Sequence, residues 1–130
     1  MALQPKPVLK AFVLCDHLRQ HPDKADLFGA GMGVIRSRSI PAFPCKHTFW
    51  AYLLLADEKP EGQVQLAIRR ADSGRSYFLR KISLQHPNPL KTTQLAIRIF
   101  NFEFPEPGIY FVELWYDGEW LLDHRLEIQG

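Results

Sequence analysis

The chain is poor in the features from which function is most directly read. Its 130 residues include only two cysteines, Cys15 and Cys45, too few for a disulfide framework. As free thiols they suit a reducing compartment, and a single disulfide between them stays open on counts alone. Neither sign of charge dominates: 16 Lys and Arg against 14 Asp and Glu leave a formal net charge of +2. That gives no electrostatic case for a nucleic acid or a membrane as partner. The nearest thing to a basic patch, Arg69, Arg70, Arg75, Arg80 and Lys81, flanks an expected turn and reads as solvated side chains on an outer strand face. Long apolar runs are also missing from the N-terminus, where Val8 to Leu14 is short and interrupted by Lys10. No small-residue cleavage site follows, so neither a membrane span nor a signal peptide is expected, and the expected location is the cytoplasm.

What the chain has in quantity is alternation and punctuation. Apolar residues recur with a period of two, and 10 prolines and 8 glycines break the pattern every ten residues or so, which is the mark of an all-β domain. Eight strands are predicted, at Val8 to Cys15, Phe28 to Arg36, Thr48 to Ala56, Gln63 to Arg70, Tyr77 to Gln85, Thr92 to Phe100, Ile109 to Trp115 and Trp120 to Ile128. The segments between them, among them HPDKAD, DEKPEG, ADSG, HPNP and FPEPG, are rich in turn-forming residues. The one rival helix, Asp16 to Leu27, is shortened by Pro22. The expectation is a single antiparallel two-sheet β-sandwich domain over residues 1–130.

Alternation also names the core. Val64, Leu66 and Ile68 oppose Gln65 and Arg69, while Leu95, Ile97 and Ile99 oppose Ala96 and Arg98. FWAYLLLA is apolar on both faces and predicts a central strand or one with a covered outer face. Gly29, Gly31 and Gly33 fall two apart and leave one strand face bare for another backbone or an aromatic ring. A phosphate-cradling loop would need a helix after them, and VIRSRSIPAFP offers none. In ELWYDGEWLL, a two-residue Asp-Gly loop would place Glu113 beside Leu122 in the core. A three-residue loop with a bulge at Gly118 pairs Leu114 with Trp120 and Val112 with Leu122. On that register Trp120 is core, and Trp115 lies on the outer face near Ile109, Phe111 and Leu121.

The segments VLCDHLR, LFGAGMGVI, IPAFP and NFEFPEPGIYFVELWYDGEWLL, in that order and spacing, resemble an uncharacterised bacterial family of small single-domain β-sandwich proteins, a domain of unknown function. The resemblance covers nearly the whole chain and implies an immunoglobulin-like or C2-like sandwich. It implies no activity and supplies no catalytic residues. His17, Cys45 and His47 stand outside the family's usual pattern, so chemistry built on them would belong to this chain alone.

Two constellations compete for a role. Cys15-Asp16-His17 and Cys45-Lys46-His47 each project a thiol and an imidazole to one side of a strand, and together they make a Cys₂His₂ set of the kind zinc takes. One-residue spacing is unusual for such sites, and packed thiols are the favoured reading, so no cofactor is expected. A Cys–His nucleophilic pair would need a thiolate-stabilising environment that no local pattern announces. The acidic residues Asp57, Glu58, Glu61, Glu103 and Glu106 sit at strand ends as turn residues, and His124 falls on the apolar face of the last strand opposite Tyr110. The better-supported surface is the outer face of the last hairpin: Trp115, Phe111, Leu121 and Ile109 form an apolar patch, unless the SIPAFPCKH loop or the N-terminal segment covers it. The expected function is therefore non-enzymatic protein interaction, with a second copy of the chain or with another protein. A small-molecule or glycan binder with a groove at Trp50 and Tyr52 is the alternative, and a metal- or thiol-dependent enzyme is third.

Overall fold

The computed structural model describes residues 8–22, 24–31, 34–36, 43–56, 61–85 and 92–129. Within them every regular element is a strand: β1 (Val8–Cys15), β2 (His17–Gln20), β3 (Ala25–Phe28), β4 (Val34–Arg36), β5 (Cys45–Ala56), β6 (Glu61–Arg70), β7 (Ser76–Gln85), β8 (Thr93–Phe104), β9 (Gly108–Tyr116) and β10 (Glu119–Gln129). A three-stranded sheet runs β1-β5-β8, a five-stranded sheet runs β4-β10-β9-β6-β7, and β2 pairs with β3. All pairings are antiparallel except β4 with β10, which is parallel.

The two larger sheets share one core. Phe49, Ala51, Leu53 and Leu55 of β5 and Ile97 and Ile99 of β8 pack in one cluster with Val64, Leu66 and Ile68 of β6 and Tyr110, Val112 and Leu114 of β9. These are the alternate residues of each strand, as a period of two requires when one face is buried. Each fully buried Leu or Ile contributes about 1.5–3 kcal/mol relative to exposure.

The apolar residues on the other face of β5 have a separate cover. Tyr52 forms a second cluster with Cys15 and Leu18, and Trp50, Leu54, Ala25, Leu27 and Ala96 pack around it. The β2–β3 hairpin thus lies over the outer side of the three-stranded sheet. Tyr52 Oη donates to Gln94 Oε1 at 2.9 Å, and Gln94 Nε2 donates to the His21 carbonyl at 2.8 Å, which ties the hairpin tip down. The helix considered over Asp16 to Leu27 is therefore a hairpin. Leu18 is buried between exposed neighbours, and Ala25 and Leu27 are half-buried beside exposed Asp26 and Phe28. Only a period of two lays those three residues on β5 together.

The strand expected over Phe28 to Arg36 is also divided. β3 ends at Phe28, and Gly29 and Gly31 take φ of 68° and 78°, a left-handed conformation that breaks the strand. The Asp16 carboxylate occupies the space that a side chain at position 29 would need. At Gly29 the bare face thus admits a carboxylate, while the backbone of β1 reaches Gly31, whose N–H donates to the Leu14 carbonyl at 3.0 Å. Gly33 lies outside the described residues, as do Asp57, Glu58 and most of the SIPAFP and HPNP segments.

The last hairpin corrects the register argument. Asp117 and Gly118 have φ of 49° and 80°, the paired positive values of a type I′ two-residue turn, and Tyr116 stays in β9 opposite Glu119. Trp120 pairs with Trp115, and the register then shifts so that Leu122 pairs with Leu114. One extra residue was needed to keep Glu113 out of the core. The structure takes it up as a bulge at Leu121, not as a third loop residue. The apolar sets of β9 and β10 share a face as expected, but Trp120 changes sides and is 50% exposed. His124 opposes Val112, one pair away from the expected Tyr110.

The turn is also clamped to β6. Asp117 N donates to the Gln63 carbonyl at 2.8 Å, and Gln63 N donates to Asp117 Oδ1 at 2.9 Å. Next to it, a methyl group at Gly62 would fall 1.7 Å from Tyr116 Oη, and Tyr116 is only 2% exposed. Gly62→Ala is therefore expected to lower stability by about 1–3 kcal/mol, as overpacking does. Urea denaturation should give a lower midpoint with an unchanged slope, and a midpoint equal to wild type would contradict the packing described.

Candidate functional site

The outward face of the five-stranded sheet is built by β6, β9 and β10 in cross-strand rows. Gln65, Trp115 and Trp120 form one row, Ala67, Glu113 and Asp123 the next, and Arg69, Phe111 and Arg125 the third. The alternation that sends Tyr110, Val112, Leu114 and Tyr116 inward sends Ile109, Phe111, Glu113 and Trp115 outward. Three of the four expected patch residues, Ile109, Phe111 and Trp115, are therefore where the sequence placed them. Leu121 is not, because at the bulge it packs against the core. Trp120 takes its place, and the missed signal was Asp-Gly itself, the preferred pair for a two-residue I′ turn.

Charge is interleaved with these rings. Glu113 is only 8% exposed although it faces outward, with Arg69 Nε 3.5 Å from its Oε2. The same guanidinium lies 4.9 Å from the Phe111 ring centre and 3.8 Å from Asp123 Oδ2. Arg125, more exposed, stands 3.8 Å from Glu127. An arginine shared by a ring and two carboxylates fixes the middle of this face and leaves the two tryptophans at its edge.

The Cys and His residues do not converge. Cys15 is opposite Trp50 on β5, whereas Cys45 starts that strand opposite Phe104. Five residues separate the two positions, roughly 15 Å along a strand. Cys15 is fully buried, and burial raises its thiol pKa above the ordinary value, the reverse of what a nucleophile needs. Both thiols are free. His17 packs against Phe28 and edge-on to Trp50, while His47 stacks on Phe49 and has Asp16 Oδ1 3.9 Å from its Nε2. Among the described residues no three His, Cys, Asp or Glu side chains come together to hold a metal ion. The Cys₂His₂ reading is overturned by the length of β5, which carries Cys45 away from Cys15. Trp50 and Tyr52, proposed as the walls of a glycan groove, lie beneath the β2–β3 hairpin.

These placements have measurable consequences. A thiol reagent should label Cys45, which is partly exposed, in the native protein and Cys15 only on unfolding; two fast thiols would contradict the burial of β1. Burial also holds the His47 pKa below its ordinary value, against a smaller opposing effect of Asp16. As pH falls below about 6.5 the unfolded chain takes up that proton before the folded one does, so stability declines with acidity. His47→Gln should remove that part of the decline in urea midpoints measured between about pH 8 and pH 5. An unchanged profile would mean that His47 is not the group responsible.

The fold has counterparts of known structure. An alkylpurine DNA glycosylase, AlkC of Pseudomonas fluorescens, bound to DNA containing an abasic-site analogue, superposes over 75% of this chain with a TM-score of 0.51 and 17% identity. A β-glucosidase from Listeria innocua superposes over 92% with a TM-score of 0.57 in its glucose complex and 0.56 without it, at 8% and 9% identity. This chain spans 28% of the glycosylase and 16% of the glucosidase, so the likeness is one of fold between this chain and a part of each enzyme. No curated protein matches. A family model does match, over residues 10–129, the span that holds every strand from β2 to β10 and nearly all of β1, and the chain belongs to the family of unknown function DUF6941.

Proposed function

We propose that this chain is an immunoglobulin-like β-sandwich that acts by protein contact, pairing with a second copy of itself through the outward face of the five-stranded sheet. Support for the sandwich comes from the core common to both sheets. Tyr110 adds to it: its hydroxyl donates at 2.7 Å to the backbone carbonyl of Glu106, four residues upstream, as the tyrosine corner of such domains does. The observation that carries the functional reading is the pair of tryptophans. Trp115 and Trp120 stand side by side in register on the outward face, and Trp120 is half exposed. Exposed tryptophan next to phenylalanine and arginine is the composition of an interaction hot spot.

A second copy is the favoured occupant because the face is complementary to itself. It carries Arg125, 58% exposed, with Asp123 and Glu127 each about one-third exposed nearby. In a two-fold arrangement every contact occurs twice, so Arg125 of each copy can meet a carboxylate of the other while the tryptophans close over one another. The enzymes that share the fold lend it no chemistry at these identities.

Light scattering after size exclusion, over a range of concentrations, tests this. The wild type should show a concentration-dependent dimer. Trp120→Glu and Trp115→Glu should each yield a folded monomer, with dimerisation weakened by about 2 kcal/mol or more, roughly thirtyfold. A wild type that stays monomeric throughout, or a dimer indifferent to both substitutions, defeats the proposal.

A further inference from the structure

The edges of the two larger sheets, β7 and β8, lie side by side. They leave a cleft of about 270 Å³ lined by Leu79, Arg80, Arg98, Ile99, Phe100 and Phe102. A second hollow of about 390 Å³ is lined by Arg75, Tyr77, Phe102, Glu103 and Pro105. Phe102 lines both, so the two hollows adjoin along one seam. From these residues we infer that the seam is a binding site for single-stranded nucleic acid.

Three features of the seam point to that class of ligand. The first is uncompensated charge. Arg69 and Arg70 are held by carboxylates, Glu113 and Asp123 for one and Glu106 for the other. Among the described residues no carboxylate pairs with Arg75, Arg80 or Arg98. β7 carries no acidic residue, and β8 carries one, Glu103. The small net charge of the chain therefore conceals a local excess, because most of the neutralisation occurs elsewhere.

The second feature is a set of flat rings beside those charges. Arg98 lies 4.8 Å from the ring centre of Phe100, which is 64% exposed, and Arg75 lies 5.1 Å from that of Tyr77. Phe100 is open enough to offer its ring to a base. Phe102 and Tyr77 are held rigidly, because an edge-to-face chain runs from Tyr77 to Phe102 at 5.7 Å, to Phe104 at 4.7 Å and to Tyr110 at 5.1 Å, ending in the core. Rings that accept bases, with arginines to follow the phosphates, are the two elements of single-strand recognition. From Arg75, just before β7, to Arg80 the chain spans about 16 Å at roughly 3.3 Å per residue, room for more than one nucleotide.

The third feature disfavours the other extended ligand, a peptide added as a further strand. β7 bulges at Leu79, where the register shifts between Ala67–Phe78 and Leu66–Arg80. β8 bulges at Asn101, with a φ of 47°, where the register with β5 shifts and the backbone N–H donates to Thr48 Oγ1 at 2.9 Å. Bulged and charged edges resist strand addition, so recognition falls to side chains. The sequence carries the signal: Arg98-x-Phe100 puts an arginine and a ring two apart on one face of β8, and Arg75-x-Tyr77 repeats the spacing where the chain enters β7. What it hides is that the fold sets Leu79 and Arg80 of β7 beside Arg98 and Phe100, and Phe102 beside Tyr77.

The test is fluorescence anisotropy of a short labelled single-stranded oligothymidine with the full chain, beside a duplex of equal length and a labelled polyglutamate peptide. The expected result is that the single strand binds more tightly than either competitor. Phe100→Ala should weaken binding about fivefold or more, and Arg98→Gln should reduce the slope of log K against log salt by about 0.7. Arg19→Gln, the same charge change on exposed β2, should leave both values at wild type, with circular dichroism confirming the fold of each variant. Absence of binding at physiological salt overturns the inference. So do equal affinity for polyglutamate and indifference to Phe100→Ala, each of which would mark the seam as a general polyanion or acidic-peptide surface.

Discussion

The burial of β5 on both faces organises everything else in this molecule. One face, Phe49 through Leu55, builds the core shared with the five-stranded sheet, and the other, Trp50 through Leu54, would be left in water without the β2–β3 hairpin. Covering it takes Trp50 and Tyr52 out of use as an aromatic platform. Tyr52 and Gln94 then carry hydrogen bonds that hold the cover in place. Three regions still present large rings to solvent among the described residues: the outward face around Trp115 and Trp120, the seam around Phe100, and Phe28 at the end of β3, which packs on His17. The candidate surfaces are thus what remains after the central strand has been satisfied.

The sequence was a good guide where side-chain parity alone decides the outcome. The inward sets of β6, β8 and β9 follow directly from alternation, and FWAYLLLA reads correctly as both central and covered. It was a poorer guide where one residue must be absorbed somewhere. Between Leu114 and Leu122 an extra residue was required, and a wider loop and a bulged strand satisfy parity equally well. Only the positive φ values at Asp117 and Gly118 favour the tight turn, and that choice moved Trp120 from the core to the surface. The β2–β3 segment failed for another reason. Three apolar residues in so short a stretch fix no period until a surface such as β5 is there to receive them.

Distance along a strand, invisible in spacing patterns, separated the metal reading from the structure. Cys-x-His occurs twice, but only Cys45 and His47 share a strand, because the chain bends at Asp16 between β1 and β2. Pairing also sets Cys15 beside Trp50 and leaves Cys45 at the far end of β5, where no local rearrangement returns it. Burial then makes Cys15 a packing residue, with its thiol pKa raised.

Charge behaves in the same non-local way. Counted along the chain, basic and acidic residues nearly cancel, and the cluster from Arg69 to Lys81 reads as ordinary surface. Folding sorts these arginines into two kinds. Arg69 and Arg70 sit where β9 and the loop before it present Glu113 and Glu106, so their charge is spent within the fold. Arg75 and Arg80 lie just before and on the edge strand β7, which has β6 on one side and the edge of the other sheet on the other. That second neighbour contributes another unpaired arginine, Arg98, and a ring, Phe100. Strand order decides which arginines are neutralised, and an edge strand beside a second edge is where it leaves them with no internal partner.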